Sequence, residues 1–293
     1  MQRKKVTNPV FMGGGGALDP NWYSGPTSDL PLAPQHDRSV LALDISPNGD
    51  YVVTASSDHG LRVYNLRTGK QSRQLYNKRY GHTDWVTTCA YVGDGRILSG
   101  SMDKRLCLWD KSVVKCSDLV GHNGSISKVK VDSTNVAISA AYDSALLVWK
   151  LDTLECAMGL FNGHKDAVTE FEWFNSLCVS GDRSGGIAFW DINQGKAIKT
   201  LKAHGQAVSK VAFYSDGQAS NLIMTSGLKD GKLNIFDMRT NKPVKSSQAH
   251  GGSVNMLTVN NAGQIVTGSA DKTLKLFDLR NGAGQQLTPT LTM

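Results

Sequence analysis

The sequence predicts an all-β fold, a β-propeller built from four-stranded antiparallel blades. Two observations carry this. Six of the seven histidines, His36, His82, His122, His164, His204 and His250, recur at gaps of 40 to 46 residues. Each heads the same kind of segment: a short apolar run, a turn, a second apolar run ending in Ser or Thr, then Asp, then an aromatic. The clearest copy runs Gly81-His82, Ser99-Gly100-Ser101-Met102-Asp103, Leu108-Trp109-Asp110. A period of this length with four short strands per unit is the signature of a propeller array.

The elements follow in order. Residues 1–35 hold Gly13 to Gly16 in a row and Pro9, Pro20, Pro26, Pro31 and Pro34, so they read as an irregular N-terminal arm. The glycine run lacks a following Gly-Lys-Ser/Thr and is not a phosphate loop. Residues 36–293 read as the propeller. Its first blade shows Val40 to Ile45, the turn Pro47-Asn48-Gly49, Tyr51 to Ala55, Leu61 to Leu66 and the turn Thr68-Gly69-Lys70. Apolar residues alternate along these runs, and Gly, Asn and Asp punctuate them at hairpin spacing. Turn signals recur at Asp94-Gly95, Asp216-Gly217 and Ala262-Gly263, and no useful window shows helical periodicity. Extra length around Gln218 to Asn221 predicts a protruding loop in blade five. Six repeats are legible. A six-bladed ring is favoured, with a seventh blade from residues 1–35 or closure by a partner as the alternatives.

Composition narrows the class. Apolar residues make up 40 % of the 293, enough for a packed core. No run of 18 apolar residues occurs, so no membrane span is expected. The basic start Met1-Gln2-Arg3-Lys4-Lys5 has no apolar stretch after it, and no secretory signal is expected. Five scattered cysteines without a C-x-x-C read as reduced thiols of a cytoplasmic protein, with nuclear, cytoskeletal or ciliary settings open. The net charge of +7 is uneven: residues 196–250 hold nine Lys and Arg against three Asp, nine minus three or +6. Lys199, Lys202, Lys210, Lys242 and Lys245 define a basic rim. It serves either solubility or an acidic partner such as tubulin tails or RNA.

The histidine segments also share a polar set. Blades two and three carry His82, Ser99, Asp103, Trp109 and His122, Ser139, Asp143, Trp149. Blade one has His36, Thr54, Asp58 and Tyr64. Blade four has His164, Ser180 and Trp190, with Ser184 where Asp is expected. Blades five and six have His204, Ser226, Asp230, Phe236 and His250, Thr267, Asp271, Phe277. This pattern resembles the WD-repeat (G-protein β-like) family of β-propellers. In that family Asp accepts from the His ring, His accepts from the Ser or Thr hydroxyl, and the hydroxyl accepts from the Trp indole, which can only donate. The resemblance implies a structural network in every blade. A Ser–His–Asp hydrolase therefore loses its motivation, and no catalytic residue is assigned. No histidine pair has metal-ligand spacing, so no metal and no cofactor are expected.

The resemblance places two contact positions per blade on the narrow face. These are Ser39, Trp85, Ser125, Ala167, Ala207 and Ser253, and then Ser57, Met102, Tyr142, Arg183, Lys229 and Ala270. Trp, Tyr and Arg are the usual interface anchors. Trp85, Met102, Ser125, Tyr142, Arg183 and Lys229 are thus the expected protein-binding set, centred on blades two to four. A second motif, Tyr64-Asn65-Leu66-Arg67, Phe236-Asp237-Met238-Arg239 and Phe277-Asp278-Leu279-Arg280, resembles the docking motif of cullin-RING ubiquitin-ligase receptors; an arginine covering a hairpin turn is the plainer reading. The expected function is a non-enzymatic scaffold, a single chain within a larger complex, that docks proteins or peptides.

Overall fold

The computed structural model describes residues 36–77, 79–215, 221–280 and 288–292, apart from the side chains of Ser215 and Asn221. The arm predicted over 1–35 and the protruding loop predicted over Gln218 to Asn221 lie largely outside these residues. Twenty-four strands form six four-stranded antiparallel sheets, and among the described residues there is no helix, hence none long and apolar enough to cross a membrane.

Blade one comprises β1 (Val40–Ile45), β2 (Tyr51–Ser56), β3 (Leu61–Asn65) and β4 (Gln71–Leu75). Blade two comprises β5 (Val86–Tyr91), β6 (Ile97–Ser101), β7 (Arg105–Trp109) and β8 (Cys116–Val120). Blade three has β9 (Ile126–Val131), β10 (Val136–Ala141), β11 (Leu146–Lys150) and β12 (Glu155–Leu160). Blade four has β13 (Val168–Phe174), β14 (Leu177–Asp182), β15 (Gly186–Asp191) and β16 (Lys196–Lys202). In blade five run β17 (Val208–Ser215), β18 (Asn221–Gly227), β19 (Lys232–Asp237) and β20 (Lys245–Gln248). Blade six closes with β21 (Val254–Val259), β22 (Gln264–Ser269), β23 (Leu274–Asp278) and the two-residue β24 (Leu291–Thr292).

The first strand of every blade lines the centre and carries one bulged residue near its start: Leu41, Thr87, Ser127, Thr169, Ser209 and Asn255. A bulge leaves one residue out of the ladder and sharpens the local twist. Here two of the unpaired residues supply polar links between blades. The Thr87 hydroxyl donates to the Ile126 carbonyl at 2.7 Å, and that of Thr169 to the Val208 carbonyl at 2.8 Å.

Five apolar clusters hold the blades together, each spanning one junction between consecutive blades. Between blades two and three, Leu98, Leu106 and Leu108 pack on Ile126, Leu147 and Trp149. Basic side chains brace the rim of three junctions from outside. Arg73 on β4 reaches the carbonyls of Asp110, at 2.8 Å, and Lys111 in blade two. Lys199 on β16 reaches Met238, at 3.2 Å, and Thr240 in blade five, and Lys245 on β20 reaches Leu279 in blade six at 2.8 Å.

No sixth cluster joins blade six to blade one among the described residues. Leu43, at the position of the buried Cys89, is 63 % exposed, and Leu274, at the position of the buried Leu106, is 52 % exposed. Val40, Ile45 and Val266 are bare as well. The six blades favoured from the sequence are present, and their first strands line one central space, but among the described residues no apolar cluster joins the sixth sheet to the first. The five junctions are covered because two apolar faces meet there; at the sixth the two faces stand apart.

Candidate functional site

The site begins with the buried polar chains that fix its loops. In blade two, His82 Nδ1–H donates to Asp103 at 3.0 Å, the Ser99 hydroxyl donates to His82 Nε2 at 2.8 Å, and the Trp109 indole donates to Ser99 at 2.9 Å. Blade three repeats this with His122, Asp143, Ser139 and Trp149 at 2.9, 2.7 and 2.8 Å. His36 with Asp58 and Thr54, and His250 with Asp271 and Thr267, make the two histidine links of this chain in blades one and six. Burial alone would raise the Asp103 carboxyl. The hydrogen bond and charge of His82, with the N–H groups of Thr83 and Arg105, outweigh it and hold the group well below the usual carboxylate range. Asp143 is lowered against its burial in the same way by His122 and the Asn123 and Ala145 N–H groups.

Two blades correct the sequence reading. In blade four Asp182, not Ser184, pairs with His164, at 2.8 Å, while Ser184 donates to the other Asp182 oxygen at 2.7 Å. The carboxylate reaches in from the end of β14. Gly186 makes this possible, since a Cβ there would stand 2.7 Å from an Asp182 oxygen. In blade five Thr225, not Ser226, meets His204, at 2.9 Å. The turn before Asp230 holds one extra residue, so the spacing of ten from the aromatic lands one residue late. Ser226 instead meets the bulged Ser209. Gly227 leaves the space for the His204–Asp230 pair, because a Cβ there would lie 1.9 Å from Asp230 and 2.7 Å from His204.

These networks fix the loops that bear the predicted contact positions. Asp58, Asp103, Asp143 and Asp271 also accept a backbone N–H from the residue after their His, as Asp103 does from Thr83 at 3.0 Å, which ties together the two loops bearing the predicted contact positions in those blades. The Met102 N–H then donates to the Trp85 carbonyl at 2.9 Å, and the Tyr142 N–H to the Ser125 carbonyl at 2.9 Å. The Ser125 hydroxyl crosses between blades and donates to the Met102 carbonyl at 3.3 Å. Trp85, Met102, Ser125 and Tyr142 thus lie on one continuous hydrogen-bonded path. Their backbones are fixed while the rings of Trp85 and Tyr142 stay 41 % and 48 % exposed. Arg183 follows in blade four, its N–H on the Ala167 carbonyl and its guanidinium 3.3 Å from Asp166. In blade five the corresponding rung belongs to Leu228, whose N–H donates to the Ala207 carbonyl at 2.8 Å. The inserted residue moves Lys229, also exposed, one place beyond it.

The basic rim is not gathered into one patch. Lys199 and Lys245 are the braces described above, and Lys199 also lies 5.1 Å from the centre of the Phe189 ring. Lys202 donates to the Ser184 carbonyl, and Lys242 is exposed. Lys210 lines the central channel, a space of about 670 Å³, where it meets the buried Glu170 at 2.6 Å. Lys128 meets the same carboxylate from the other side, and Lys130 pairs with Glu172. Burial pulls the Lys128 ammonium down against the attraction of Glu170. Sequence reading missed this charged wall, since its members are about forty residues apart and only their shared place on first strands links them. The second motif turns on itself: Arg239 meets Asp237 at 2.9 Å and Arg280 meets Asp278 at 2.8 Å.

Residues 30–65 and 73–110 match the family model described as WD domain, G-beta repeat, and residues 153–291 match that of the Nucleolar protein 10-like N-terminal domain. Among curated proteins the chain is similar to a guanine nucleotide-binding protein subunit beta of Oryza sativa subsp. indica, 27 % identical over 62 % of this chain and 52 % of that one. It is also similar to the CCR4-associated factor 4 homolog of Candida glabrata, 28 % identical over 44 % of this chain and 26 % of that one. The Mitochondrial division protein 1 of Aspergillus terreus is 27 % identical over 61 % of this chain and 25 % of its own length. The chain spans about half or less of the length of these relatives.

Proposed function

This chain belongs to the WD-repeat, G-protein β-like β-propellers, and from that premise we propose that it is a non-enzymatic scaffold whose narrow face over blades two to four docks a protein or peptide. The observation that carries the reading is the path from Trp85 through Met102 and Ser125 to Tyr142. Backbone that is already fixed loses little entropy on binding, and half-exposed aromatic rings supply area at low conformational cost. Arg183 at the edge adds a charged contact. The serines of the His networks argue against hydrolysis: Ser99, Ser139 and Ser180 are wholly buried, and each hydroxyl already serves a histidine and an indole.

Capture of partners by the tagged full chain, with and without nuclease, tests this, alongside a Trp85→Ala/Tyr142→Ala double variant. Partners that survive nuclease and vanish in the variant support the narrow face. Retention by the variant overturns it. A second reading, assembly on a ribonucleoprotein, is favoured by the match of residues 153–291 to a nucleolar protein's domain. It predicts partners lost to nuclease and binding that weakens steeply with salt. Cytoskeletal or ciliary complexes are the other candidate settings, and the partner list separates them.

A further inference from the structure

Blade two carries a sulfur-rich patch on the face it turns toward blade one. β7 and β8 pair so that Cys107 lies opposite Asp118 and Trp109 opposite Cys116. Side chains alternate along strands, so these four residues share one face of the sheet. The two thiols and the Asp118 carboxylate converge, with all three donor atoms within 4.8 Å of one another. Oδ1 of Asp118 lies 3.4 Å from the Cys107 sulfur and 3.9 Å from that of Cys116. Oδ2 accepts from Arg105 at 2.6 Å, which orients the carboxylate toward the sulfurs. At the corresponding positions blade three has Leu147, Cys156 and Gly159, and blade four has Ala188, Ala197 and Thr200. Nothing in the architecture of a blade therefore calls for two thiols facing a carboxylate.

Two chemistries suit a thiol pair, and the register separates them. Cys107 and Cys116 are diagonal neighbours, not direct partners, across the two strands. Diagonal positions are ~7–8 Å apart, beyond what a disulfide spans without backbone movement. A bridging ion relaxes that demand, because each metal–sulfur bond adds about 2.3 Å. Two thiolates with one oxygen favour a soft or borderline cation over Mg²⁺ or Ca²⁺, which prefer oxygen throughout. Three protein donors leave a fourth position for solvent. The hydrogen bond from Arg105 is the outer support that a ligating carboxylate ordinarily has.

We propose that Cys107 Sγ, Cys116 Sγ and Asp118 Oδ1 bind a thiophilic divalent cation, Zn²⁺ being the physiological choice. Each thiol releases its proton to solvent as its metal–sulfur bond forms. The ion enters beside Asp118, which is exposed, while both sulfurs are buried.

Titration of the full chain with Co²⁺ under a non-thiol reductant tests the site. Expected is an intense sulfur-to-cobalt charge-transfer absorption that saturates at one equivalent and is abolished by added Zn²⁺. Cys116→Ser removes it and Cys156→Ser leaves it intact. Asp118→Asn weakens binding by about tenfold or more. Absence of the band overturns the proposal, as does its survival in Cys116→Ser. Loss of both thiols to a disulfide on mild oxidation, with no cobalt band from the reduced chain, also overturns it. Should circular dichroism show that Cys116→Ser is unfolded, Asp118→Asn decides, and unchanged affinity there counts against the site.

Discussion

His204 and Thr225 meet at 2.9 Å, whereas Ser226, the next residue, turns to Ser209. This divides two adjacent hydroxyls into different tasks. Thr225→Val keeps the shape and strips the buried imidazole of its donor, which is expected to cost about 1–3 kcal/mol. Ser226→Ala leaves Ser209 its bond to the Ser226 carbonyl, at 3.0 Å, and is expected to cost under about 1 kcal/mol. Chemical denaturation of the two variants ranks them, and equal losses would show that the pairing is misassigned.

Acid should destabilise the fold in two stages. Burial pulls the His204 imidazole below its ordinary 6.5, against the attraction of Asp230. The unfolded chain then binds the extra proton first, so stability present above 6.5 is lost as pH falls through that value. Asp103, Asp143 and Asp182 are held below their ordinary 3.8 despite burial, chiefly by their histidines. Their contribution is complete above 3.8 and disappears as pH drops through the lower native values. Melting temperature followed from pH 8 down to about pH 1 should show both stages. His204→Gln, less stable at neutral pH, should lack the first.

Binding and stability should separate cleanly among the tryptophans. Trp85 is half-exposed, so Trp85→Ala is expected to shift stability by about 0.5 kcal/mol or less. Partner affinity should fall by about 2 kcal/mol, roughly thirtyfold. Trp109→Phe keeps the ring in the core and removes the donor to Ser99. It should cost about 1 kcal/mol of stability and leave affinity unchanged. Calorimetric titration with a captured partner, beside denaturation curves, compares them; weakened binding in Trp109→Phe alone would move the site elsewhere.

The repeat made much of this legible in the sequence. His, hydroxyl, Asp and Trp at constant spacing pointed to the networks of blades two and three, because spacing along a strand and a tight turn is a local property. The reading slipped wherever distance along the chain no longer measured distance in space. One added turn residue shifted Thr225 and Leu228 into places assigned to Ser226 and Lys229, and a carboxylate arriving from β14 replaced the one expected at Ser184. The lysines of the basic rim looked like one charged stretch. Only the packing of consecutive blades shows that Lys199 and Lys245 grip neighbouring carbonyls and that Lys210 faces Glu170. Cys107 and Cys116 stayed unremarked because their meeting depends on the register of one hairpin.

Among the described residues, blades one and six each have one apolar face that no cluster covers. In a closed circle every blade leans on two others, and none can open without breaking two junctions. Among the described residues the first and sixth blades lean on one neighbour each, so opening either breaks a single apolar cluster. Amide exchange should therefore be graded along the series, fastest in β21 to β23 and β1, slowest in the sheets of blades three and four. Uniform protection across all six sheets would mean that in solution the two ends find a cover.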